Sequence, residues 1–306
     1  MRATVLLLAA LALVPPTACW GAAGHAVVGL VAQTLLPPGA ARLVGELLSG
    51  STLGDVAAWA DTVKRKGPLA YTFDYHFADA HDDPPRDCNF DDARDCPTGA
   101  CLVGAIANYT RQAGCTGPRL LPRAQRAQAL KFIVHFLGDI AQPLHLFLRG
   151  RGGNDQKVVF DGMPMSLHAV WDTGMQRDVR AAGRPEKRIR SDFGGSKDSY
   201  AAHLVAQIRA AAWGDASAWI SPFGPDDTNA RGNSLAAIEW AVEANAIGCW
   251  AAWAPYDADP AQDFGAAYYR DAVRVVDHQI ARAGVRLADW ISRIAAACRP
   301  VPHGEL

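Results

Sequence analysis

Apolar residues return at steps of three and four along most of this chain, the spacing of one helix face. Residues 24–36 carry the pattern up to Pro37 and Pro38, and proline does not continue a helix interior. Residues 40–48 resume it as far as Ser49-Gly50. The stretch GDVAAWADTVKR, 54–65, predicts another short helix, and 100–113, 123–141, 198–213, 232–253 and 262–297 predict further ones. Pro143 ends or kinks the helix over 123–141. Residues 74–98 are rich in Asp, Pro and Cys and have no period, which predicts a long loop stapled by its cysteines. Residues 150–165 are turn-rich, with room for one short hairpin. No strand–helix–strand alternation appears. The expected class is mainly α. The length suits one large globular domain or two smaller ones.

Polar residues break into this pattern at a few places. FIVHFLGDIAQPLHLF, 132–147, reads as a buried helix, yet it holds His135, Asp139 and His145. His135 and Asp139 are four apart and share a helix face. His168 and Asp172, in SLHAVWD, repeat the spacing. Asp61 lies in AAWAD, His76 follows the aromatic run YTFDY, and His25 lies near the start of the first helix. Each alone reads as a hydrogen-bonded core histidine or a surface contact. Together they make five of the nine histidines and three carboxylates in apolar surroundings. Unpaired, each buried charge would cost several kcal/mol. One metal cluster satisfies them all, and imidazole with carboxylate but no thiolate suits catalytic zinc. H-E-x-x-H and G-x-S-x-G are both absent from the sequence.

Composition narrows the class. The 306 residues are 50% hydrophobic with a net charge of −1, so the strongly basic surface of a duplex-DNA binder is missing. Arg2, the apolar run VLLLAALALV and PPTAC describe a secretory signal peptide over 1–19, with Trp20 first after cleavage. A lipoprotein with Cys19 lipidated is the alternative, but Pro16 stands where such a site wants an aliphatic residue. No later apolar run is long enough to span a membrane, so no membrane anchor is expected. Six cysteines remain after Cys19: Cys88, Cys96, Cys101, Cys115, Cys249 and Cys298. An even count after a signal peptide predicts three disulfides, with the pairing open. No C-x-x-C pair supports a zinc finger. NYT places a glycosylation acceptor at Asn108, and HGEL lacks the acidic residue of a retention signal, leaving 299–306 as a plain tail. The expected protein is secreted, extracellular and monomeric.

Five segments then carry a resemblance. WGAAGH (20–25), WADTVK (59–64), YHFADAHDDPP (75–85), HFLGDIAQPLH (135–145) and SLHAVWD (166–172) resemble the fungal secreted, zinc-dependent, single-strand-specific nucleases, also called nuclease/3′-nucleotidases. The order and approximate spacing extend over most of residues 20–298. The resemblance implies a mainly α fold, a single globular domain of packed helices with three zinc ions at the base of a cleft. One zinc would be held by Asp61, His76, His135 and Asp139. A second would be held by Trp20, through its free α-amino group and carbonyl, with His25 and Asp139. The third would be held by His145, His168 and Asp172. The implied reaction is attack of an activated water on phosphorus, leaving 5′-phosphate ends on single-stranded DNA and RNA and removing 3′-phosphates. Lys64 would steady the charge on phosphorus, beside the catalytic carboxylates Asp61 and Asp139. Phe77 would stack the base, and Asp79 and Asn154 would hydrogen-bond it. The implied disulfides are Cys88–Cys249 and Cys96–Cys101, leaving Cys115–Cys298. Two positions depart from the family pattern: Ala141 where His is usual, and Ser166 where Asn is usual. Ser166 is expected to hydrogen-bond a ligand over a shorter reach. The rival readings are a zinc-dependent phospholipase C, which resembles this pattern but carries Glu at the place of Asp172, and a non-catalytic secreted zinc-binding protein.

Overall fold

The computed structural model of the chain is described over residues 20–115, 120–175 and 187–298. The signal segment 1–19 and the tail 299–306 lie outside the described residues. Seven long helices make the frame: α1 (Ala22–Leu35), α2 (Pro38–Leu48), α3 (Leu102–Ala113), α4 (Arg123–Asp139), α5 (Lys197–Arg209), α6 (Leu235–Gly248) and α7 (Ala267–Ala297). α4 is the central one. Its residues from Phe132 to Asp139 are buried without interruption, so this last part has no solvent face, while the polar first turn at 123–125 is exposed. α3 packs along α4, and the 31-residue α7 packs along α1.

Short elements between these frames position the site. The helix expected over 54–65 is two pieces, Leu53–Val56 and Trp59–Val63, parted at Ala57 and Ala58. Gly29 of α1 sets how close the first piece lies, since a Cβ there would stand 2.7 Å from the backbone of Leu53 and Gly54. Part of the expected loop is ordered differently: Ala70–His76 forms a 3-10 helix. Lys187–Phe193 is a helix that the pattern did not announce.

The turn-rich stretch 150–165 does form a hairpin, Lys157–Phe160 paired antiparallel with Met163–Ser166. Asp161 and Gly162 turn it with φ of 49° and 73°, the left-handed pair such tight turns need. The Asp263 carboxylate accepts from both turn amides, at 2.8 and 2.9 Å. That use of Asp263 explains why the helix expected from 262 starts only at Ala267. The helix expected to reach 213 ends at Arg209, with Ala211 at φ 50°. The one expected to reach 253 leaves α-geometry at Cys249 and continues as a π-turn, Cys249–Trp253.

Three disulfides tie these parts: Cys88–Cys249, Cys96–Cys101 and Cys115–Cys298. The last joins the end of α3 to the end of α7. Among the described residues no helix is long and apolar enough to cross a membrane.

Candidate metal centre

Six segments bring eight chemistry-bearing side chains together. α1 contributes His25, the piece Trp59–Val63 contributes Asp61, and the 3-10 helix Ala70–His76 ends in His76. α4 contributes His135 and Asp139 in its last turns. A second 3-10 helix, Pro143–Leu146, carries His145, and SLHAVWD forms a helical turn running into a π-turn that carries His168 and Asp172. All eight are buried or nearly so, with Asp61 and His168 keeping the most exposure, so the group opens to solvent on their side.

Asp139 is the hub. Its Oδ1 lies 3.1 Å from His25 Nε2, and its Oδ2 lies 3.0 Å from His76 Nδ1 and 3.3 Å from His135 Nε2. Asp61 faces the same histidines, at 3.5 Å from His135 and 3.8 Å from His76. Beside it, His168 Nε2 is 2.9 Å and His145 Nε2 3.8 Å from the Asp172 carboxylate. His145 Nδ1 lies 3.8 Å from Asp139 Oδ1, so the two groups adjoin.

Three sets of donor atoms lie within 4.8 Å of one another: His25 with Asp61 and His135, His76 with His135 and Asp139, and His145 with His168 and Asp172. Backbone carbonyls fix three of the imidazoles. His135 Nδ1 donates to Ala57 at 2.7 Å, His145 Nδ1 to His76 at 2.8 Å, and His168 Nδ1 to Gly152 at 2.6 Å. Each bond leaves Nε2 as the lone-pair nitrogen aimed inward, the arrangement of a metal-ligating histidine. The break at Ala57 has its use here, because a helix running through would have engaged that carbonyl.

Within the group, hydrogen bonding is left incomplete. Among the described residues Asp61 Oδ2 and His25 Nδ1 are buried with no hydrogen-bond partner. Asp139 Oδ1 and His25 Nε2 face each other at 3.1 Å, and Asp172 Oδ2 faces His168 Nε2 at 2.9 Å, without forming hydrogen bonds. Three buried carboxylates in this state are costly without cations among them. Nitrogen and oxygen donors converging without thiolate fit a divalent metal such as zinc. For His76 and His25 the electrostatics agree. Burial holds the His76 imidazole down to about 3 and lowers that of His25, so both favour the neutral, ligating form. Burial works against the charge on Asp139, but His135 and the other imidazoles hold it well below the usual carboxylate range. Burial likewise opposes His135, which Asp139 and Asp61 raise well above an ordinary imidazole. The centre is thus a set of fixed anions wrapped in imidazole.

The S1/P1 Nuclease family profile matches residues 20–296. Nuclease P1 of Penicillium citrinum is 37% identical over 281 residues, covering 90% of this chain and 97% of that protein. Nuclease S1 of Aspergillus oryzae is 34% identical over 296 residues, covering 94% and 96%. Endonuclease 3 of Arabidopsis thaliana is 31% identical over 288 residues, covering 92% and 90%. The chain belongs to the S1/P1 nuclease family. Members of this family are hydrolytic nucleases, and none of these relatives supports the phospholipase C reading.

In this S1/P1 nuclease the remaining residues sit around the centre as follows. Trp20 is fully buried, and the next amide, Gly21 N, donates to the Asp172 carbonyl at 2.6 Å, tying the start of α1 to the π-turn. Lys64 is buried while its neighbours Arg65 and Lys66 are exposed, and its Nζ lies 2.6 Å from Asp61. Phe77 and Asp79 are half-buried just beyond His76, on a segment whose Ala78 amide donates to the His145 carbonyl at 2.9 Å. Burial pushes the Asp79 carboxyl up to about 6, with His81 and His145 opposing and Asp74 adding. Asn154 is half-buried two residues past the Gly152 carbonyl that holds His168, and its Nδ2 donates to the Arg151 carbonyl at 2.8 Å.

Two residues read differently from the sequence expectation. Ser166 Oγ accepts from the Ala169 amide at 3.1 Å, so it caps the turn that bears His168 rather than bonding a ligand side chain. Gln142 escaped sequence reasoning altogether. It is fully buried, its Nε2 donates to Asp172 Oδ1 at 2.5 Å, and its Oε1 accepts from the Leu144 amide at 2.6 Å. A neutral amide in QPLH carries no charge signal, yet this one holds a candidate ligand by both ends. Ala141 is buried, and its carbonyl accepts from Gln279 at 2.9 Å.

Proposed function

We propose that this chain is a secreted, zinc-dependent endonuclease that cuts single-stranded DNA and RNA to 5′-phosphate products and also removes 3′-phosphates from nucleotides. The observation that carries this reading is Asp139, one buried carboxylate facing His25 on one oxygen and His76 and His135 on the other. In this reading three zinc ions would be held: one on Asp61, His76, His135 and Asp139; one on His25, Asp139 and the amino-terminal Trp20; one on His145, His168 and Asp172. Bound zinc supplies concentrated positive charge for a phosphodiester and lowers the pKa of water toward neutrality.

The protein side chains do the rest. Asp139 and Asp61 keep the anionic frame ionised. Lys64, held against Asp61, presents its ammonium where charge builds on the phosphoryl oxygens. Gln142 and the Ala57, His76 and Gly152 carbonyls keep the ligands in one orientation. Phe77 receives the base face and Asp79 and Asn154 its edge. A recessed group of this kind admits a flexible strand whose bases can unstack, which favours single strands over duplex. It also reconciles polyanion binding with a net charge of −1.

Residues 1–19 direct secretion in this reading, and removal of that segment frees the Trp20 amine. Glycosylation at Asn108 would precede folding, because Thr110 of the acceptor triplet is buried and accepts from Trp290 Nε1 at 2.9 Å. The protein acts as a monomer. The test is digestion of matched single- and double-stranded DNA by the secreted protein, with and without a zinc chelator, followed by analysis of the product ends. Chelator-sensitive cutting of the single strand to 5′-phosphate ends supports the proposal. Zinc-loaded protein that cuts neither strand refutes it and returns attention to a non-catalytic zinc-binding protein.

A further inference from the structure

We infer that Phe73 is a stacking platform for a nucleotide flanking the one at the metal centre, and that it makes this enzyme prefer chains over mononucleotides. The inference rests on the nuclease reading above and deepens it. The 3-10 helix Ala70–His76 that delivers His76 is unusually aromatic. Thr72 and His76 are its buried residues, and Tyr75 packs on the core. The Tyr71 hydroxyl stands 3.4 Å from that of Tyr109, which anchors it. Tyr71 and Phe73 are the exposed rings of this helix, at 59% and 46%, but Tyr71 pairs with Tyr75 and Tyr109 while Phe73 pairs with Phe77, and neither Phe73 nor Phe77 joins the hydrophobic core. The two rings meet edge to face, 6.0 Å apart at 80°.

Phe77 directly follows a candidate metal ligand, so a base on Phe77 would belong to the reacting nucleotide. Phe73 then offers the next aromatic face along the same surface, continuous with the site. Stacking on a π-face is tolerant of base identity, which suits an enzyme that must accept any sequence. Arg65 and Lys66 are exposed just ahead of this helix and supply cationic charge for the strand's phosphates. The occupant is therefore single-stranded nucleic acid extending beyond the reacting nucleotide.

The experiment compares zinc-loaded wild type, Phe73→Ala and Phe73→Trp on thymidine 3′-phosphate and on an oligothymidylate of roughly twelve nucleotides. The readout is the ratio of kcat/KM for the oligomer to that for the mononucleotide. In Phe73→Ala this ratio falls, roughly 5- to 100-fold, the loss expected for one base stack, chiefly through KM. Phe73→Trp restores it. If both substrates weaken equally in Phe73→Ala, the ring merely props Phe77 and the inference is overturned. An unchanged ratio overturns it too, as does a change of oligomeric state in the variant, which would mark the ring as a protein contact. Wild-type protein inactive on both substrates removes the nuclease reading and this inference with it, whereas an active wild type confines the failure to Phe73.

Discussion

Gly138 offers the sharpest test of how the centre is built. It precedes Asp139 in the last turn of α4, and the His25 ring lies against it. A Cβ at position 138 would stand 2.6 Å from His25 Nδ1 and 3.0 Å from Cε1. Reaching ordinary contact at 3.4 Å requires the ring to retreat by 0.8 Å. It has no room, because it is fully buried and stacked on His135 at 3.7 Å and 15°. Gly138→Ala therefore moves His25 by several times the ±0.2 Å or so that metal–ligand distances tolerate. The cost to the fold is small: overpacking of roughly 1–3 kcal/mol is offset by about 1 kcal/mol of helix propensity. We expect the variant to fold, to weaken the zinc site proposed at His25 with an affinity drop of about 10- to 100-fold, and to lose rate in proportion. Metal content after dialysis against graded chelator, with a thermal melt on the same sample, checks this. Full zinc content and wild-type rate in Gly138→Ala would refute the packing argument.

Lys64→Ala should lower kcat about 10²-fold or more while leaving zinc content unchanged if, as proposed, Lys64 acts on the phosphoryl group rather than as a ligand; steady-state rates with metal analysis decide it. One residue added ahead of Trp20 in the processed protein should remove the zinc proposed to sit on its free amine; normal zinc content and rate in that variant would exclude the amine. Opening Cys115–Cys298, which closes a loop of 183 residues, by serine substitution at both positions should cost up to about 5 kcal/mol of stability, read by denaturant titration. A pH effect should come from His278, stacked on Trp213 at 5.3 Å and 8° and facing Arg282, Arg286 and Glu243. Burial first, then Arg282, depresses it from 6.5 to about 4, so between those values the unfolded chain binds the extra proton. Stability is full above about pH 6.5 and falls as pH drops toward 4, by roughly 1 kcal/mol once solvent screening is allowed for. The difference in unfolding free energy between wild type and His278→Gln should shrink by that amount from pH 7 to roughly 4.5, and a constant difference would contradict the assignment.

The long helices and the ligand pairs at one-turn spacing were legible because both follow from periodicity. His135 with Asp139, and His168 with Asp172, announce themselves as polar residues on apolar faces. What periodicity does not carry is long-range encounter: nothing near His25 says that it meets Asp139, and only the motif resemblance joined them. Backbone roles were equally hidden. The break at Ala57 and Ala58 has no proline or glycine to mark it, and its purpose, a carbonyl for His135, exists only in three dimensions. Gln142 and Gly138 were silent for a related reason. One is neutral and the other has no side chain, yet one holds Asp172 and the other makes room for His25. Ser166 was visible but misjudged, because a serine ahead of a helical turn has a backbone amide within easier reach than any side chain.

Every candidate ligand lies between Trp20 and Asp172, whereas α7, which walls α1 and closes the last disulfide, begins at Ala267. A truncated homologue ending near residue 200 would thus display all five motifs intact. It would nonetheless lack the long helix that packs along α1, the element that carries His25. In a genome such a fragment would pass a search for the five motifs while lacking the helix against which α1 is packed, so motif content and an intact frame are separate things to check.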